Sequence, residues 1–351
     1  MPIHPLYGHE ALRQRLAGAA AKGNLPQVLL LEGPRGVGKQ RLALWLAQRL
    51  VCQEAGGIEP CGRCQPCRLV LALSHPDVHW LVPLELAKKG ADADKQVELV
   101  EAALVDEMTT RREQPLYEPP SGMAGHSIAA VRLLLRRLAL TPALGNRKVF
   151  IIGDADRLVP QAANPEAANA LLKALEEPPA NTVFVLTTAD GAAILPTILS
   201  RVVRVRVPRL SDSVVTAFAQ AQLGRSVAAS SITAVEGCIG ELVARQGAGE
   251  ALAKAEEAAS RFLAAARGSS VDRLSLALGQ TPFQARGGFA DMLDALLGRL
   301  QAEARTGKDS ARVVAAISQL LEARELAQGN VNPQLLTAVL SEDLANGKDQ
   351  R

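Results

Sequence analysis

The sequence predicts an α/β protein: a parallel sheet built around a phosphate-binding loop, followed by helices alone. Three observations carry this reading. A buried-type strand at 27–31 (QVLLL) runs into a glycine-rich turn and then a helix at 39–51. Further strand candidates at 78–82, 148–152 (KVFII), 182–187 (TVFVLT) and 202–207 (VVRVRV), buried or half-buried in type, are separated by helical patterns. After Pro208 strand signals vanish, and Ala- and Leu-rich segments run on. Strands separated by helices imply parallel pairing, with helices covering both faces of the sheet.

Between the strands, the clearest helix lies at 127–140. Ile128, Val131, Leu135 and Leu138 share one face there, while Arg132, Arg136 and Arg137 lie mostly elsewhere. The stretch 84–125 is long for a connection within a compact domain. Its part 94–113 fits a polar helix, 115–125 reads as loop, and the plain reading is a mobile surface insertion. Turn-like breaks near 223–225, 246–249, 267–269, 287–288 and 329–333 divide the helical remainder. The expected domains are a nucleotide-binding-fold domain at 1–208, a small helical lid at 209–250 and a helical C-terminal domain at 251–351.

Size and composition bound the function. A chain of 351 residues exceeds one small domain, and two or three are expected. Hydrophobic residues at 48% supply sizeable cores, and with aromatics at only 3% the apolar load falls on Leu, Ala and Val. A net charge of +3 excludes a surface coated in basic residues, so any nucleic-acid contact needs a local patch or a larger assembly. Residues 1–8 lack the features of a secretory signal, and no uninterrupted apolar run is long enough to span a membrane. Four of the five cysteines crowd into 52–67, which points to metal rather than disulfides and to a reduced, cytoplasmic protein; Cys238 reads as a core residue.

The turn after the first strand reads Gly33-Pro34-Arg35-Gly36-Val37-Gly38-Lys39-Gln40. Gly33, Gly36 and Gly38 let backbone N–H groups turn inward around phosphate oxygens, the helix N-terminus adds positive potential, and Lys39 reaches the outer phosphates. A working loop ends in Ser or Thr, whose hydroxyl binds magnesium; here Gln40 stands there. The strand at 148–152 leads to Asp154, Ala155 and Asp156. Asp154 fits the acid that supports magnesium, or alternatively caps a loop. Ala155 occupies the position of the glutamate that polarises water and cannot do that work, while Asp156 lies one residue too far along. ATP binding is compatible with this pattern; hydrolysis is not expected.

Cys52, Cys61, Cys64 and Cys67 have the spacing of a closed tetrahedral zinc site, with the C-x2-C pairs on turns favoured by Gly62 and Pro66. Zn2+ would be structural there. His75 competes as fourth ligand in place of Cys52, and a redox pair would leave two cysteines unexplained.

A phosphate loop with a four-cysteine module just after its helix resembles the clamp-loader subunits of bacterial DNA polymerase III, in the AAA+ group. His75-Pro76-Asp77, the run from Asn169 to Pro179 (NALLKALEEPP), the strand at 182–188 and Leu199-Ser200-Arg201 are similar to elements of that family, although Val202 replaces the expected cysteine. The resemblance covers about residues 5–210, and the insertion at 84–125 departs from it. It implies an AAA+-like fold, an all-helical lid and an oligomerising helical collar. It also implies that Arg201 completes the ATP site of a neighbouring subunit as an arginine finger, where the residues alone allow a solvated or salt-bridged arginine. Gln40 and Ala155 depart from the hydrolysing gamma and tau subunits and are similar to the family's poorly hydrolysing type. The implied partners are the delta and gamma/tau subunits, the sliding clamp, and primed DNA through the polymerase assembly. A gamma-type motor and a zinc-dependent nucleic-acid-binding module are the alternatives. Glu176 and Glu177, in the last turn of a helix, oppose its dipole, as a subunit contact or a solvated turn would permit.

Overall fold

The sheet grows outward from β1 (Val28–Glu32), whose first four residues are buried. In the computed structural model, which describes residues 3–54, 56–85, 92–114, 124–158, 166–224, 226–247, 249–280, 288–305, 310–328 and 331–346, four more strands join it. They are β2 (Val78–Leu81), β3 (Lys148–Ile152), β4 (Thr182–Thr188) and β5 (Val203–Arg206), in the order β2-β3-β4-β1-β5. Every pairing is parallel, with Leu30 opposite both Leu186 and Arg204, and Ile151 opposite Val185. The predicted parallel α/β architecture, built on a phosphate loop, is present.

The pleat sorts the strand residues onto two faces. Leu29, Leu31, Val149, Ile151, Val183 and Val185 pack with α1 (Glu10–Ala21) and α2 (Lys39–Val51). Leu30, Phe150, Ile152, Phe184 and Leu186 pack with α4 (Ala93–Glu113), α5 (Ile128–Leu138) and α6 (Glu166–Glu176), which follow the short α3 (Gln65–Leu71). Two covered faces explain why the central strands are apolar without alternation. The last strand is of the half-buried kind: Val203, Arg204 and Arg206 on β5 are exposed, while Val205 packs against the core. That strand is an edge, and its arginines supply the charge that discourages edge-to-edge pairing.

The insertion also departs from expectation. Leu84 and Gly125 form an antiparallel bridge, each N–H donating to the other's carbonyl at 3.1 and 3.2 Å. Between them α4 buries Val97, Val100 and Leu104 in the core, so it is a structural layer rather than a loose surface helix. The predicted loop at 115–125 lies outside the described residues except for Ala124 and Gly125. Ser127 caps α5, accepting the Ala130 N–H at 3.2 Å. The buried Lys148 ammonium caps its far end through the carbonyls of Arg137 and Leu140, and Asp77 accepts the N–H groups of Ala143 and Leu144 at 2.6 and 2.8 Å.

A four-residue helix α7 (Pro196–Leu199) precedes β5, and among the described residues only helices follow it: α8 (Asp212–Leu223), α9 (Ala229–Ala234) and α10 (Ile239–Gly247). The chain divides into two compact units, Met1–Ala244 and Arg245–Arg351. The second contains α11 (Gly249–Arg267), α12 (Ser270–Leu278), α13 (Gly288–Arg305), α14 (Ser310–Gln328) and α15 (Pro333–Asn346) around Phe262, Leu293, Leu296 and Leu320. The predicted breaks at 246–249, 267–269, 287–288 and 329–333 fall at helix ends, whereas the end of α13 at Arg305 and the start of α14 at Ser310 were not predicted; Ser269 and Asp272 form a capping box at the start of α12. Among the described residues no helix is long and apolar enough to cross a membrane.

The sheet's edge is acid-sensitive. His79 on β2 lies against Phe150, ring centroids 4.8 Å apart, with Arg137 at 3.4 Å. Burial, then the charges of Arg137 and Lys148, lowers its pKa to about 3. Its folded pKa is below its unfolded value, so its contribution to stability is intact above about pH 6.5 and is lost as the pH falls from there towards 3. Denaturant melts at pH 7 and pH 5 should show that His79→Gln removes a loss of up to about 1.4 kcal/mol per pH unit. An unchanged pH slope in the variant contradicts this.

Candidate nucleotide and metal sites

The phosphate loop joins β1 to α2. Gly36 and Gly38 take left-handed φ values of 76° and 99°, conformations open to glycine at little cost. Lys39 does not reach outward: its ammonium donates to the carbonyls of Gly33 at 2.8 Å and Pro34 at 2.7 Å. Burial lowers its pKa to about 8, against the opposing pull of Asp154 and Asp156. The N-terminus of α10 abuts the loop. The Gly240 N–H donates to the Gly36 carbonyl at 2.8 Å, and a Cβ added at Gly240 would lie 2.7 Å from the Gly36 Cα.

Behind the loop, Gln40 and Asp154, at the two positions where the sequence suggests a hydrolytic loop would hold magnesium, are bonded to each other. The Gln40 Nε2 donates to Asp154 Oδ2 at 3.0 Å. Asp154 itself has φ 48° and donates its N–H to Thr187 Oγ1 at 3.0 Å. Ala155 is buried, and Asp156 accepts the Thr188 hydroxyl at 2.7 Å. On the other side of Gln40 stands Arg111 of α4, which sequence reasoning did not single out. It donates to Gln40 Oε1 at 3.3 Å and to Glu107 at 2.9 Å. Its guanidinium lies 4.3 Å from the centre of the Trp80 ring, and only 2% of the residue is exposed. Glu107 and Arg111 have the i,i+4 spacing of an ordinary exposed pair, so nothing in the local sequence marks the burial.

Arg201 follows α7. Both its Nε, at 2.7 Å, and a terminal nitrogen donate to Glu176 Oε1, and it also donates to the Thr197 carbonyl at 2.5 Å and Ser200 Oγ at 3.0 Å. The pairing accounts for Glu176 at the C-terminal end of α6, where the dipole disfavours it. Nearby, Arg204 pairs with Glu32 at 2.7 Å and Arg209 with Glu236 at 3.0 Å.

The four clustered cysteines converge. Cys52 ends α2, Cys64 precedes α3 and Cys67 lies within it. Their sulfurs and that of Cys61 lie within 4.8 Å of one another. Cys61 and Cys67 are 3.9 Å apart, close to the roughly 3.8 Å edge of a tetrahedron with zinc–sulfur bonds of about 2.3 Å. The Cys64 N–H donates to the Cys61 sulfur at 3.3 Å and is the first cause lowering that thiol's pKa to about 7, whereas burial pushes Cys67 up. The donor set and spacing fit a closed zinc site. His75 is not part of it; its Nδ1 accepts the Asp77 N–H at 3.0 Å. Cys238, expected in the core, is buried.

Comparison with known proteins gives a consistent family. The family described as "DNA polymerase III, delta subunit" matches residues 8–211. The delta-prime subunit of DNA polymerase III from Pseudomonas aeruginosa is 34% identical over 57% of this chain and 47% of its own length. That from Bacillus subtilis is 33% identical over 53% and 43%, so the chain spans about half the length of the curated relatives it matches. The gamma/tau subunit of Mycobacterium tuberculosis is 28% identical over 55% of this chain and 26% of its own. A gamma-subunit-related protein of Thermotoga maritima aligns with 96% of this chain and 99% of its own, at 14% identity and a TM-score of 0.44. The chain belongs to the DNA polymerase III delta-subunit family and is of the delta-prime type.

Proposed function

We propose that this protein is a stator-like subunit of a clamp-loader assembly, which helps open a sliding clamp and place it on primed DNA while neighbouring subunits hydrolyse ATP. The observation that carries the reading is the pair of replacements in the hydrolytic machinery, with Gln40 bonded to Asp154 and Ala155 where a water-polarising glutamate is needed. Gly33, Gly36, Gly38 and Lys39 keep the shape of a nucleotide cradle, with Asp154 beside it, but Lys39 is turned onto the loop's own carbonyls.

Arg201 is the residue proposed to act on a neighbour. A guanidinium delivered across an interface neutralises charge growing on a transferred phosphoryl group. Its pair with Glu176 is partly exposed, and such pairs contribute about 0–1 kcal/mol, so a phosphate can displace the carboxylate at little cost. Residues 209–250 would form the lid and 251–351 the collar. In support of the collar, the second unit exposes Val271, Leu274 and Leu278 on α12 and Leu335 and Val339 on α15, each more than half accessible; such apolar surface marks protein contacts. Delta and gamma/tau subunits are the proposed partners, in the cytoplasm. Structural Zn2+ on Cys52, Cys61, Cys64 and Cys67 would hold the segment between α2 and α3, which has little core of its own.

The purified chain should turn over no ATP above background, with or without primed DNA. A rate matching that of the assembly's motor subunits defeats the stator reading. In a reconstituted assembly, Arg201→Ala should lower turnover at the neighbouring ATP site by about 10³-fold, the lower end of what such a finger supplies, and slow clamp loading with it while leaving subunit association intact; unchanged rates refute the trans-acting role. Elemental analysis should find about one zinc per chain, and Cys67→Ser should lower both the zinc content and Tm. A folded, metal-free wild type removes the zinc assignment.

A further inference from the structure

The insertion helix has a chemical task that the stator reading does not require. In a loop that binds magnesium with nucleotide, the residue after the lysine and the strand-end aspartate both hold the metal. Here those two positions are joined by the Gln40–Asp154 hydrogen bond. The amide orientation is fixed from both sides: its nitrogen donates to Asp154 and its oxygen accepts from Arg111 at 3.3 Å. Its room is also limited, since a Cβ added at Gly153 would lie 3.0 Å from the Gln40 amide. The residues present therefore do not fit magnesium. The position that needs a ligand oxygen presents an amide N–H, and a buried guanidinium stands behind it.

Arg111 is built in rather than draped over the site. Its residue is buried, its plane lies over Trp80, and Glu107 orients its Nε. The helix carrying it is anchored by Val97, Val100 and Leu104 in the core. A buried cation of this kind is held only where partners compensate its lost hydration. Glu107, the Trp80 face and the Gln40 amide, itself bonded to the Asp154 carboxylate, supply that compensation.

We propose that Arg111 is an internal cation standing in for magnesium: through Gln40 it satisfies Asp154, closes the metal position, and makes any nucleotide held by the loop a metal-free ligand. This rests on reading residues 33–40 as a phosphate loop within an inert subunit, and it assigns α4, the described helix of the insertion, its function. The recognised ligand is a nucleoside triphosphate or diphosphate without a divalent ion, and the excluded one is its magnesium complex.

The test uses Mn2+ as a paramagnetic substitute for magnesium, with zinc-loaded full-length chain and ATP. The wild type should give no protein-bound Mn2+ signal at any ATP concentration. The double variant Gln40→Ser, Arg111→Ala should bind about one Mn2+ per chain together with ATP, and its ATP affinity should be at least about tenfold higher in Mg2+ than in EDTA, the span of about 1.4 kcal/mol. Arg112→Ala, one residue along the same helix, should behave as wild type. Wild-type binding of Mn2+ with ATP overturns the proposal. So does a double variant that keeps a cooperative thermal transition yet gains neither Mn2+ nor ATP. These readouts are separate from turnover: hydrolysis by the wild type would defeat the stator reading, whereas metal binding without hydrolysis defeats this inference alone.

Discussion

The hydrogen bond between Gln40 and Asp154 is the constraint on which the site depends. It joins the first turn of α2 to the end of β3 across the place where a metal ion would bridge them, and it is possible only because both groups are delivered by rigid elements of one sheet. A partly buried amide is best held with partners for both its donor and its acceptor. Asp154 takes the first and Arg111 offers the second, so the replacement of a hydroxyl by an amide is supported by a second residue far away in sequence. The loop keeps its left-handed glycines and its lysine, but that lysine is spent on the loop's own backbone.

What surrounds this bond explains how the fold stands independently of any nucleotide chemistry. The central strands are covered on both faces, and that burial owes nothing to nucleotide. The contact between Gly240 and Gly36 closes the first unit against the loop with backbone alone. Stability and hydrolysis are separable in such a scaffold, because the core is built from strand interiors while the chemistry sits at strand ends. Losing a magnesium ligand leaves the core untouched.

Much of this was legible in the sequence, for local reasons. The loop, the apolar strands, the cysteine spacing and most of the breaks between the later helices each depend on residues within a few positions of one another; the break between α13 and α14 was missed. The edge character of β5 was not legible, because Val203 and Val205 read like interior valines and only the strand order places them at the rim. The insertion was read as surface because 94–113 is polar on average, although three apolar side chains on one face suffice to seat it. Arg111 escaped notice because it meets Gln40 across 71 positions of sequence, and no local pattern announces such a contact. Glu176 was recognised as a misfit at its helix end, and its partner Arg201 lies 25 residues on.

A crystal structure grown with ATP and excess Mg2+ tests the central claim most directly. The account predicts the Gln40 amide still bonded to Asp154, Arg111 still seated on Trp80, and no octahedral density beside the loop. An ion coordinated by Asp154 and the phosphates, with Gln40 swung aside, would contradict it.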